Sequence, residues 1–167
     1  MKKLLSLLIA LCALVCLTAC DPSFGKIGDF VDLSEVISVE LIEYDNSSAN
    51  RINSGFRSDG EKAAKKLPSL NFDKMTVLEA LEEEVISNFI DEVLTIGAVT
   101  TWIHLNSPIG VCLKLNYENG DFIIISCGQH NLMCLYDESG KPLSYLLAPY
   151  SDDFKTVVNK FFVTQIE

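Results

Sequence analysis

Among 167 residues there are only two histidines, His104 and His130, one tryptophan, Trp102, and two arginines, Arg51 and Arg57. So few imidazoles leave little capacity for general-base work. No G-x-S-x-G, H-E-x-x-H or glycine-rich phosphate loop occurs, so the common hydrolase, zinc-protease and nucleotide-binding signatures are missing. Basic residues are scarce: 13 Lys and Arg stand against 23 Asp and Glu, a net charge of −10. Nucleic-acid phosphates and anionic lipid heads repel such a chain, which argues against nucleic acid as a partner. Internal repeats are lacking. The one long apolar run, Leu4 to Leu17, is broken by Ser6 and is shorter than the ~20 apolar residues a bilayer span needs.

That run has informative flanks. Lys2 and Lys3 precede it, and Leu17-Thr18-Ala19-Cys20 closes it with small residues before a cysteine. Asp21, Pro22 and Ser23 follow and give no stop-transfer signal. This is the layout of a secretory signal. Its ending resembles the lipobox of bacterial lipoproteins. The resemblance implies cleavage before Cys20 and acyl chains such as palmitate on the Cys20 thiol. It places the protein at the cell membrane, lipid-anchored and facing outside the cytoplasm. In enteric lipoproteins an aspartate after that cysteine, here Asp21, accompanies retention at the inner membrane. In a single-membrane host it carries no such meaning. Removal of residues 1–19 leaves 148 residues with a net charge of −12, enough for one domain with one core. No polybasic patch is available to assist membrane binding, so the lipid must serve as the anchor.

Residues 20–35 have no clean period and carry Pro22, Gly25 and Gly28; they read as a tether. Residues 36–167 read as a single α+β domain. Val36–Tyr44 is a β-branched strand with Ile37, Val39 and Leu41 on one face. A polar loop over 45–59 precedes a short helix: Ser58 and Glu61 have capping-box spacing, so a helix is expected to start there, and it must stop near Pro68. Met75–Leu81 fits a strand or the first turn of the next helix. Over 82–96, Val85, Ile86, Phe89, Ile90 and Val93 form a helical stripe, with Glu82, Glu83 and Glu84 at its favourable N-terminal end. An antiparallel meander follows over 98–105, 111–118, 121–127, 132–136 and 143–147. Asn119-Gly120 marks one tight turn, and Pro142 points to an edge position for the last strand. A final helix starts near Asp152 with Ser151 as N-cap and a stripe of Phe154, Val157, Val158, Phe161 and Phe162. The expected architecture is a five- to six-stranded antiparallel sheet packed with two main helices.

Three cysteines remain beyond Cys20: Cys112, Cys127 and Cys134. With Asn119-Gly120 as a two-residue turn, Cys112 falls opposite Cys127, at a Cα separation of roughly 5 Å that a disulfide tolerates. A bridge between them and a pair of buried thiols are the two readings. Parity also places His104 and Cys134 on that face, together with Trp102, Ile123, Ile125 and Leu132. Cys127-x2-His130-x3-Cys134 has metal-ligand spacing. However, ligands on strands roughly 4.8 Å apart form a row too wide for one tetrahedral ion. No metal or other cofactor is expected.

Five of the eleven basic residues beyond Cys20 lie between Arg51 and Lys66, with Phe56 beside Arg57. Arg51, Phe56 and Arg57 are therefore candidate contacts for an anionic ligand or an envelope protein. The chain as a whole resembles the many small bacterial lipoproteins of unassigned activity that carry one compact domain on a lipid anchor. A non-catalytic binding or interaction module is the leading functional expectation. An accessory subunit of an envelope complex, or a small envelope hydrolase or redox enzyme, are the alternatives.

Overall fold

The structure, a computed structural model, describes residues 23–45, 51–53, 60–100, 104–106, 108–128 and 132–166. It is a mixed α+β fold. The described residues form ten strands: β1 Ser23–Lys26, β2 Val36–Tyr44, β3 Arg51–Asn53, β4 Met75–Ala80, β5 Gly97–Thr100, β6 His104–Asn106, β7 Gly110–Tyr117, β8 Phe122–Ser126, β9 Met133–Tyr136 and β10 Pro142–Pro149. The helices are α1 Gly60–Ala64, α2 Glu83–Thr95 and α3 Ser151–Phe161. Eight strands form one antiparallel sheet in the order β1-β5-β10-β9-β8-β7-β2-β4, two or three strands more than expected. The strands β3 and β6 pair separately as a two-stranded ribbon.

The extra strands come from the two ends of the sheet. Residues from Ser23 onward do not behave as a tether: β1 pairs with β5, and Ile27 and Leu33 are fully buried in the main core. The segment expected as one strand over 98–105 is divided. Its first half, β5, lies beside β10 and β1; its second half, β6, leaves the sheet for β3. Only β7 to β10 form a sequential meander. The strand β10 is therefore interior. Pro142 is accommodated because it is the first residue of the strand, where a missing N–H costs no ladder bond.

The turns set the register. The Tyr117 N–H donates to the Asp121 carbonyl at 2.9 Å and the Gly120 N–H donates to the Tyr117 carbonyl at 3.1 Å. Three residues, 118–120, therefore form the turn. Gly120 sits at φ +89°, a left-handed conformation that glycine adopts without steric cost. Compared with a two-residue turn, the partner of every β7 residue moves by one. Leu113 pairs with Ile125, Leu115 with Ile123 and Cys112 with Ser126. Because side chains alternate along a strand, this one-residue slip exchanges the faces of β8.

Two cores result. The face carrying Val39, Leu41, Leu113, Leu115, Ile123 and Ile125 packs against α2 and α3 through Ile86, Phe89, Val93, Phe154 and Val158. Ile37 is not among them; a register shift between Val36 and Ser38 leaves it 56% exposed. The reverse face carries Ile42, Cys112, Phe122, Ile124, Cys134 and Tyr136. Leu67 and Leu70, from the segment after α1, cover it. Both faces of the middle strands are thus buried, in keeping with their near-continuous apolar sequences.

Candidate functional site

A concavity lies between the segment that follows β1 and the exposed flank of α2. It has a volume of about 830 Å³. Its floor is apolar, built from Val31, Leu33 and Val36 on one side and Ile86, Ile90 and Leu94 on the other. Those α2 positions recur at helical spacing, so one stripe serves both core and groove. Ser34 and Ser87 supply hydroxyls. Asp32, Glu83 and Asp91 supply carboxylates, and no lysine, arginine or histidine is among the described lining residues. A shallower extension of about 530 Å³ shares Ser34, Val36 and Ile37 and reaches Glu118 and Asn119 at the β7–β8 turn. Glu35 lines this extension too, so its rim is also acidic.

The N-terminal wall is preformed rather than loose. The Ile27 N–H donates to the Ile96 carbonyl at 2.9 Å, and the Ile27 side chain is wholly buried. The Asp32 carboxylate accepts the Ser34 N–H at 2.9 Å, a local Asx turn. The Tyr117 hydroxyl donates to the Asp32 carbonyl at 2.9 Å, which ties the wall to β7. The bonds from Ser34 hold the Asp32 carboxyl below its ordinary range. Burial, then the Asp32 and Glu35 charges, push the Tyr117 hydroxyl up to about 12. At neutral pH the wall therefore presents the Asp32 carboxylate, held by the Ser34 N–H, while the neutral Tyr117 phenol is bonded to the Asp32 main-chain carbonyl. Comparison with family models, with curated proteins and with solved structures gives no match. The groove has to be read from its own chemistry. An apolar floor under an acidic rim suits a ligand with an apolar body and a cationic group.

The residues singled out from sequence are dispersed. Cys112 and Cys127 do not face one another. The register sends Cys112 into the reverse core with Cys134, whereas Cys127 joins the main core beneath the helices. Cys112 and Cys127 are not bridged: all three thiols are free and buried. Burial pushes Cys112 and Cys134 up to about 12 and raises Cys127 further, so none is poised as a thiolate nucleophile. His104 is paired opposite Asn53 in the ribbon, away from the β7 strand that holds Cys112. Arg51 lies in β3 opposite Asn106. Phe56, Arg57, Trp102, His130 and the lipobox cysteine Cys20 lie outside the described residues.

The groove itself escaped the sequence reading because its near wall looked like linker. One signal was present: Val31 and Leu33 flank Asp32, and Asp32-x-Ser34 is an Asx-turn pattern. The Glu82–Glu84 run reads as a solvated helix start, yet Glu83 lines the groove.

Proposed function

We propose that the chain is a membrane-anchored, extracytoplasmic lipoprotein, held by lipid on Cys20, whose domain is a non-catalytic binding module. The groove between residues 28–37 and α2 is its ligand site. The carrying observation is the pairing of an apolar floor with Asp32, Glu83 and Asp91 and no lining base. The ligand class is a cationic amphiphile, either a small molecule or a peptide segment with an apolar face. Phe56 and Arg57 of the Arg51–Arg57 region, a candidate for anionic partners, lie outside the described residues.

The test uses a matched pair of probes, octylammonium and octanoate, added to the soluble domain. Octylammonium is expected to shift the amide resonances of Ile86, Ser87 and Ile90 saturably. The effect should weaken in high salt, because opposite charges at a surface groove are screened beyond a Debye length of about 8–10 Å. Glu83→Gln with Asp91→Asn should reduce the affinity, and Ser87→Trp should block the shifts. Equal binding of octanoate, or shifts scattered over the surface and insensitive to these substitutions, would overturn the assignment.

A further inference from the structure

Among the described residues, the cover of the reverse face does not extend to the β1–β5 end of the sheet. In the β1–β5 pairing, Phe24 stands opposite Val99 and Lys26 opposite Gly97. Ala148 of β10 also pairs with Val99. Directly opposed residues point to the same side, so these positions share one face; Ala98, between them, points into the main core. That shared face is the reverse side of the sheet. The reverse core, with its cover from Leu67 and Leu70, contains no residue of β1 or β5. Phe24 is 66% exposed and Tyr150 is 42% exposed. The Tyr150 ring belongs to this face because it lies over Gly97, where a Cβ would run into it. The result is a strip of two exposed aromatics with Val99 and Ala148 between them and Lys26 alongside.

We infer that this strip rests on the membrane, in the headgroup zone of the leaflet that carries the lipid anchor. The inference depends on the proposed lipidation of Cys20. Only Asp21 and Pro22 separate Cys20 from Ser23, the first residue of β1. Extended chain covers roughly 3.3–3.6 Å per residue, so Phe24 is never more than about 14 Å from the Cys20 backbone. The polar zone of one leaflet is itself about 5–8 Å deep. The anchor therefore holds the β1 end of the sheet against the headgroups, and only the choice of contacting face remains free. Aromatic rings with a nearby lysine are the side chains favoured in that zone. The acidic groove rim, which anionic heads repel, is built from residues 28–37 and α2, on the other side of β1.

The experiment uses the lipidated full chain reconstituted in phosphatidylcholine vesicles. A bimane label is placed at Phe24→Cys, at Lys26→Cys as a second site on the same face, and at Val77→Cys as a control on β4 at the opposite end of the sheet. The native thiols are buried and label slowly. The expected result is a blue-shifted emission and several-fold stronger quenching by doxyl-labelled lipid at positions 24 and 26 than at 77. Solvent-like emission at 24 and 26, or equal quenching at all three, overturns the contact. Fatty-acid labelling of each variant separates the causes. Labelling retained with a solvent-like position 24 rejects only the docking, whereas loss of labelling from the wild-type chain rejects the anchor and the docking with it.

Discussion

Cys112, Cys127 and Cys134 illustrate how much a single register step decides. Each thiol sits in apolar surroundings that disfavour its anion, and each has its pKa raised above the ordinary value of 9.0, to about 12 for Cys112 and Cys134. In the unfolded chain the thiols ionise near 9; in the folded domain they hold their protons. Their contribution to stability is thus complete below about pH 9 and is lost as pH rises towards 12. By linkage, each buried thiol contributes a slope of up to ~1.4 kcal/mol per pH unit in that window. Urea midpoints should fall steeply between pH 9 and pH 10.5, and Cys134→Ala should flatten the curve. A pH-independent midpoint would contradict the burial. The same geometry predicts thiol counts for the domain lacking Cys20. Native protein in aerated buffer should react slowly with a disulfide reagent at pH 8, and unfolded protein should release three equivalents. A count of one would restore the bridge between Cys112 and Cys127.

The helices were the most legible elements. Five apolar positions at helical spacing mark α2, and four of them, Ile86, Phe89, Ile90 and Val93, are buried. Phe89, wholly buried, meets Phe161 edge-on at 5.3 Å and Phe162 at 5.9 Å, so it joins α2 to the end of α3. Phe89→Ala should cost about 3–5 kcal/mol, measured by urea denaturation. A loss below about 1 kcal/mol would mean that the helices do not depend on this contact. The strands were less legible, for a physical reason. Asn119-Gly120 fits both a two-residue turn and the three-residue turn that forms, and the apolar run Phe122–Ile125 gives no alternation by which to choose. The division of β5 from β6 rests on long-range pairing, which local pattern does not encode. Another such long-range tie fastens the C-terminal segment to β4: the Glu79 carboxylate accepts the N–H groups of Val163 and Thr164, both at 2.9 Å. These bonds favour the ionised form and lower its pKa. The tie should hold above the ordinary value of 4.5 and be released as pH falls below it. Exchange of the Val163 and Thr164 amides should accelerate on acidification relative to the intrinsic rate, and Glu79→Gln should abolish that dependence.

For the whole molecule, the anchor is the proposal that decides where everything else acts. Cys20→Ser should leave the chain unlabelled by fatty acid, whereas the wild-type chain incorporates label. Equal labelling of both would end the lipoprotein reading. The lipobox reading rests on a short contiguous pattern over residues 17–20, which lies outside the described residues. The start of the domain was not legible, because β1 is only four residues long and gains its place by pairing with β5, more than seventy residues away. With the proposed lipid on Cys20, its inclusion shortens the span between lipid and sheet from a tether to two residues. That bears on how many copies behave together. Chains held by lipid share a thin layer of space and so meet at a far higher local concentration than in bulk, with their sheets in similar orientations. Under such confinement an open strand border is a hazard, since each could zip onto the next. At the far border, β4 carries the exposed Val77 and Leu78, but the ladder skips Leu78: Leu41 pairs with Glu79 and Ile42 with Val77. The surplus residue bends the border and breaks the even row of donors and acceptors a neighbour would need. A one-residue irregularity in β4 can therefore serve the crowd rather than the single fold, allowing dense display without fusion into a continuous sheet.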